Sequence, residues 1–401
     1  MKVNRRLFLK NATAASSVIV LSGFHSKLTS AGLTDQIKIE SPFHGAVLNS
    51  RHGTKVEGGL KIEVSGEAPL EGFVTVNGVQ AVQENRKFKA DIILRHPETE
   101  IIAKSNGLHG VKSHTVKVVW DKNSFSRYGF EVDDNIFFLR DIAKQRYRSI
   151  FDCFYLEGLK NLHQKYGTKF LLNIYFSDGK EYSDAEEFTL KRFPDRYKKE
   201  WQQNSDWLKL TFHAYANLPD RPYQDAPVPK LINDFDKVRE QIIRFAGEQT
   251  YTPPTIVHWG MMPKLAYKAM AAKNVSVLRG YFIKNSSGKW DVNQNMDAVR
   301  SEYISKQYAL KDFESGIVFS KVHLVCNTTP LEKIVPSLEP LIYHPQGAEV
   351  LDLMTHEQYF WPFYKNYLPD HFERLNKTIG WATDHGYKPV FWNDGLLGNP
   401  V

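Results

Sequence analysis

A chain of 401 residues with 42% hydrophobic and 24% charged residues is sized for two or three compact units, and its balance excludes extended disorder. The formal charge is +7, but Lys2, Arg5, Arg6, Lys10 and Lys27 all precede the first acidic residue, Asp35, and +7 less these five leaves +2. A remainder this close to neutral does not support a general nucleic-acid footprint, and no nucleic-acid partner is expected.

Residues 1–31 read as a targeting segment. Asn4-Arg5-Arg6-Leu7-Phe8-Leu9-Lys10 resembles a bacterial twin-arginine signal, a mild apolar run follows from Ala12 to Phe24, and Thr29-Ser30-Ala31 offers small residues for cleavage. A membrane anchor fits less well, because the run is shorter than the roughly 20 residues a span needs and contains Thr13, Ser16, Ser17 and Ser22. The expectation is export to the periplasm or the cell exterior, with no stable membrane insertion once the signal is removed. Cys153 and Cys326 are the only cysteines and read as two separately buried thiols. Two cysteines cannot build a four-cysteine zinc site, so any metal here is held by His, carboxylate and amide groups.

Residues 37–120 predict a small all-β module. Ile37-Lys38-Ile39-Glu40, Leu60 to Val64, Phe73 to Val76 and Thr115 to Val119 are short β-branched runs separated by turn residues, and Asn77-Gly78 between Val76 and Val79 is a hairpin signal. Their spacing predicts a β-sandwich, and the module resembles the immunoglobulin-like units appended to exported bacterial carbohydrate enzymes. It carries no catalytic constellation and reads as a spacer.

From about residue 125 strands alternate with helices. Leu156, Leu159 and Leu162 mark a helix ending at Gly167, and Phe170 to Phe176 is a strand. Leu208 to His213 is a second strand, with Leu208, Leu210 and Phe212 alternating against Lys209, Thr211 and His213. Leu231, Phe235, Val238, Ile242 and Phe245 define an amphipathic helix closed by Gly247. Further strands are predicted at Thr255 to His258, Val275 to Leu278, Ile317 to Cys326, Ala348 to Leu353 and Pro389 to Trp392, with helices opening at Pro263 and spanning about Pro369 to Gly386. This order implies a parallel sheet or barrel, where functional groups gather at the carboxyl ends of strands.

Five groups fall at or just after those ends: Asp133-Asp134, His213 with Asn217, His258 with Trp259, His356, and Asn393-Asp394. Adjacent carboxylates on an extended segment point apart, so one can hold a metal while its neighbour faces the reacting atom. If the chain makes one helical turn after His213, the Asn217 side chain lies on the same face, within reach of a shared cation. A separate His can protonate a leaving group. Each position also has a structural reading: Asp133-Asp134 as a turn or helix cap, His213 as a satisfied core histidine, Asn217 as turn chemistry, Arg221 paired with Asp220, and His258-Trp259 as core packing.

The ordered set Val132-Asp133-Asp134, His213-x-x-x-Asn217 and Met354-x-His356 resembles the polysaccharide deacetylase family, over roughly residues 125–395. The resemblance implies a distorted (β/α)7-type barrel over 125–401 and an exported, metal-dependent hydrolase that removes N- or O-linked acetyl groups from a polysaccharide or oligosaccharide. It implies Asp133 as general base and His356 as general acid. It implies Asp134, His213 and Asn217 as ligands of a divalent metal, zinc by expectation, and a carbohydrate as the binding partner. His258, Trp259, Arg221, Tyr359, Trp361 and Asp394 are candidates for contacts to substrate. Asn217 stands where the family uses His or Asp, and Asp220-Arg221-Pro222-Tyr223 follows the histidine motif directly instead of lying further along. Two alternatives stay open. One is a glycoside hydrolase pairing Asp133 or Asp134 with Asp394 or Glu357. The other is a carbohydrate-binding protein that has lost its metal.

Overall fold

The computed structural model describes residues 36–107, 110–179 and 186–400. The targeting segment expected at 1–31 lies outside the described residues. The chain divides into two compact units, one running to Lys122 and the other from Asn123. Among the described residues no helix is long and apolar enough to cross a membrane.

The first unit is built of two five-stranded sheets. One orders Lys38–Ser41, Gly59–Glu67, Lys87–Leu94 and Val82–Glu84, with Thr54–Val56 paired to Gly59–Glu67; the other orders Val47–Leu48, Gly110–Trp120, Glu98–Gly107, Phe73–Val76 and Val79–Gln80. Alternation drives it: along Lys87–Leu94, Phe88, Ala90, Ile92 and Leu94 are buried while the residues between them face water. Asn77 and Gly78 both take positive φ, 47° and 83°, the geometry that joins two strands through a two-residue turn.

The second unit is mixed α/β. Its principal sheet is parallel, with β1 (Arg127–Asn135), β2 (Phe170–Tyr175), β3 (Leu208–Ala214), β7 (Leu324–Val325) and β8 (Val350–His356) in the order β3-β2-β1-β8-β7; β9 (Lys388–Pro389) also pairs with β1. A second sheet orders β4 (Val277–Gly280), β6 (Val318–Lys321) and β5 (Ala309–Lys311). Among the described residues the strand pairing does not close into a barrel. Every residue of β1, β2 and β8 is buried, as expected for parallel strands covered on both faces. Helices α1 (Phe137–Gln145), α2 (Phe154–Tyr166), α3 (Val228–Ala246) and α4 (His371–Asp384) provide cover. In α3 the side chains of Leu231, Phe235, Val238, Ile242 and Phe245 are all buried, and Gly247 ends the helix at φ 88°. Gly129 in β1 leaves room for Trp392: a Cβ there would lie 2.3 Å from the indole ring.

Two irregularities shape the carboxyl end of the sheet. Val132 pairs with Leu172 but Asn135 with Ile174, so β1 carries one residue more than β2 across that span. Within it, Asp134 sits at φ 64°. Ile174 pairs with Phe212 but Tyr175 with Ala214, so β3 carries an extra residue too, His213. Bulges of this kind re-aim side chains and concentrate beside functional sites.

Four sequence expectations are corrected. Thr255 to His258 is not a strand: Pro253 and Pro254 remove two backbone donors, and His258 instead opens a short 3-10 turn containing Trp259 at φ 66°. The run Ile317 to Cys326 divides into β6 and β7, which join different sheets. Of the last expected strand, Pro389 to Trp392, only Pro389 pairs, within Lys388–Pro389, because the chain beyond turns Trp392 under Gly129. No helical turn follows His213; residues 215–220 are irregular.

Candidate metal centre

Three buried ligand-capable side chains meet at the carboxyl end of the sheet: Asp134 from the β1 bulge, His213 from the β3 bulge and His258 from the 3-10 turn. His213 Nε2 is 3.1 Å from Asp134 Oδ1, His258 Nδ1 is 3.3 Å from the same oxygen, and the two nitrogens are 3.2 Å apart. Around a tetrahedral zinc with bonds of about 2.0–2.1 Å, ligand atoms stand about 3.3–3.4 Å from one another, so this triangle fits one face of such a site.

The tautomers support the same fit. His258 Nε2 lies 3.0 Å from the Asn217 carbonyl oxygen, which can only accept, so Nε2 carries the proton and Nδ1 presents its lone pair. That lone pair faces a carboxylate oxygen, and two acceptors at 3.3 Å call for a positive charge between them. A backbone carbonyl fixing the outer ring nitrogen is the usual support of a metal-binding histidine. His213 Nδ1 has no hydrogen-bond partner among the described residues, so its orientation rests on packing against Tyr175 and His258. The group has the composition and spacing to hold a metal ion.

Asp133 lies one residue away but points elsewhere. Its Oδ1 accepts from Asn173 Nδ2 at 2.6 Å, and the same amide reaches Glu131 Oε2 at 2.9 Å. Glu131 contacts Arg279 at 2.6 Å, and Arg279 donates through Nε to both oxygens of Asp352, at 2.9 and 3.0 Å. One buried guanidinium thus balances two buried carboxylates, and Asn173 ties that balance to Asp133. Burial, opposed by His213 and Arg279, pushes the Asp133 carboxyl up to about 6. Asp133 and His356 are register partners on neighbouring parallel strands, so their side chains project to the same face. His356 Nδ1 is held 2.8 Å from Asn327 Oδ1.

Asn217 occupies a different position from the one its spacing suggests. The third vertex of the triangle is His258, expected as a substrate contact, while Asn217 approaches through its backbone carbonyl and through its amide oxygen, 3.2 Å from the Tyr175 hydroxyl. Trp259 and Arg221 are half-buried beside it; the Arg221 guanidinium lies 4.7 Å from the centroid of the Trp259 ring and pairs with Asp291, not with Asp220. Tyr359 and Trp361 are buried within the unit. Trp361 donates to Glu357 at 3.1 Å and packs edge-on against Phe137 and Phe154, so it presents no open stacking face. Asp394 lies at the opposite end of the sheet, where its charge acts on Lys209 near the start of β3. Glu357 receives the backbone N–H groups of Ile136, Phe137 and Phe138 at the start of α1, at 2.6, 2.9 and 2.6 Å, and burial pushes it up to about 7.

Asn173, Tyr175 and Asn327 were not among the sequence candidates. The signal for the first two was present: Leu172-Asn173-Ile174-Tyr175 places an amide and a hydroxyl in a strand buried on both faces, where each must find a partner.

No family model matches the chain, and no curated protein matches it. Among solved structures, a modular endo-beta-1,4-mannanase of glycoside hydrolase family 26 from Cellulomonas fimi aligns with 16% identity and a TM-score of 0.16, over 21% of this chain and 18% of that one. An overlap that short carries no argument about fold or function.

Proposed function

We propose that the second unit is a metal-dependent hydrolase that removes acetyl groups from a carbohydrate, on a fold of the (β/α)-barrel kind, and that the first unit is an immunoglobulin-like spacer in an exported protein. The observation that carries the reading is the Asp134–His213–His258 triangle, with Asp133 one residue away on the chain and His356 on the adjacent strand. Asp134, His213 and His258 would hold a divalent cation, which would supply Lewis acidity toward a water and an acyl carbonyl. Asp133 accepts the proton of the attacking water, and Asn173 holds that carboxylate in place. His356 gives a proton to the departing sugar nitrogen or oxygen, its ring oriented by Asn327. Trp259, half-buried beside His258 with the Arg221 guanidinium over its ring, is the aromatic nearest the centre in the chain that could meet a sugar.

The pairings expected for a glycoside hydrolase draw less support. Asp394 is remote, and both oxygens of Glu357 are engaged by the start of α1. The loss of a metal, suggested by Asn217 alone, loses its basis once His258 provides the third ligand. The test is elemental analysis of the purified protein together with acetate release from a panel of acetylated glycans. Asp133→Asn is expected to retain the metal and lose acetate release; full activity in that variant would end the role given to Asp133.

A further inference from the structure

We propose that Tyr175 is a fourth protein donor to the metal centre and that Asn217 acts through it, as the acceptor of its hydroxyl hydrogen bond. The inference rests on the hydrolase reading for the presence of a cation, and goes beyond it in assigning the fourth position. The Tyr175 ring is buried at the end of β2. Its hydroxyl makes a short hydrogen bond with Asp134 Oδ1, lies 3.0 Å from His258 Nδ1 and lies 3.2 Å from Asn217 Oδ1. The phenol oxygen therefore stands against two corners of the triangle, and closer to Asp134 Oδ1 than two ligands of one tetrahedral ion stand, so a bound cation would have to part that pair.

A hydroxyl has one proton and two lone pairs. Two acceptors compete for that proton, the Asp134 carboxylate and the Asn217 amide oxygen, while the hydroxyl lies 3.0 and 3.3 Å from the two ring nitrogens of His258, off the line of the Nδ1 lone pair. A cation held by Asp134 would satisfy the first. The proton then turns to Asn217 Oδ1, and a phenol lone pair faces the cation. No proton leaves the site, and the phenol stays neutral. A neutral phenol is a weak ligand, so Tyr175 is a donor that a substrate oxygen can displace. An amide at position 217 suits this arrangement, because it accepts the proton without adding charge beside the ligands.

The test is the crystal structure of the zinc-loaded protein with the ion located by anomalous scattering, together with zinc affinities of single and double variants measured by chelator competition. The phenol oxygen is expected at bonding distance from the ion, about 2.0–2.2 Å. Tyr175→Phe is expected to weaken zinc binding about thirtyfold and Asn217→Ala about tenfold, the range for groups that support a bound metal. Because Asn217 acts through Tyr175, adding Asn217→Ala to Tyr175→Phe is expected to cost nothing further. Zinc held by the three-residue triangle with the phenol oxygen beyond bonding distance, or additive losses in the double variant, would overturn this inference and leave the hydrolase reading standing. Failure of the wild-type protein to take up zinc at the triangle would overturn both. If Tyr175→Phe does not fold, the zinc-loaded structure decides alone.

Discussion

Replacing His258 with alanine separates the centre seen in the structure from the one its sequence spacing suggests. Apparent free energies of about 10–16 kcal/mol for a four-ligand zinc site correspond to about 2.5–4 kcal/mol per ligand, or about two to three orders of magnitude in affinity. His258 supplies a ring nitrogen 3.3 Å from Asp134 Oδ1 and 3.2 Å from His213 Nε2, so its loss opens one corner of the triangle. Asn217 touches the centre through the His258 and Tyr175 side chains, and its loss belongs to the smaller class of effects, about tenfold. The assay is competition for zinc against a chromophoric chelator at fixed pH. Circular dichroism on each variant confirms that it is folded, since His258 is fully buried. His258→Ala is expected to bind at least about a hundredfold more weakly, and Asn217→Ala about tenfold. The reverse order, with Asn217→Ala crippled and His258→Ala near wild type, would refute the triangle.

Glu357→Gln is expected to destabilise the protein by about 2–4 kcal/mol in urea unfolding, because a single amide oxygen cannot serve three buried backbone donors and its NH2 group is set against them. His323 is half-buried with its Nε2 shut off from solvent, and desolvation of the ring lowers it from 6.5 to about 3. Its folded-state value lies below its unfolded one, so the stability it lends is complete above pH 6.5 and drains away as pH falls toward 3, at about 1.4 kcal/mol per pH unit. His323→Asn, whose oxygen can still accept the Asp352 N–H, is expected to flatten that limb of the stability curve; an unchanged limb would show that other groups set it. Asp394→Ala is expected to leave kcat/KM for acetate release unchanged, since Asp394 sits at the far end of the sheet; a loss of tenfold or more would return it to the substrate path.

Much of the second unit was legible because its signals are periodic. The five apolar positions of α3 fall where the sequence puts them, and β3 is a strand where its period of two predicts one, although Thr211 and His213 are buried as well. The end of β3 was legible for the same reason, and with it the place of His213; β8 runs three residues past its expected end at Leu353 to take in His356, and Asp133-Asp134 were read only as lying on an extended segment. The position of His258 could be read, but not its role. It lies on no strand, and nothing local announces that Trp259 will take a positive φ and swing the imidazole inward. Asn217 was misplaced by assuming a helical turn after His213, where the chain is irregular. Tyr175 and Asn173 were hidden by their own strand: a tyrosine among Leu, Ile and Phe reads as core until its hydroxyl is asked for a partner. The Arg279 network was out of reach altogether, because Glu131 and Asp352 are 221 residues apart in the chain and no spacing rule joins them.

The extra residue in β1 has a further consequence for how this centre tolerates change. Asp133 and Asp134 are consecutive, and the kink at Asp134, φ 64°, is what turns one toward Asn173 and the other toward the two histidines. The distance between the group that would take a proton and the group that would grip a cation is therefore written into the main chain and does not depend on neighbouring helices. Drift in the surrounding core can shift the groups around the two carboxylates without altering that span. Loss of a single residue from the strand end would remove both duties together.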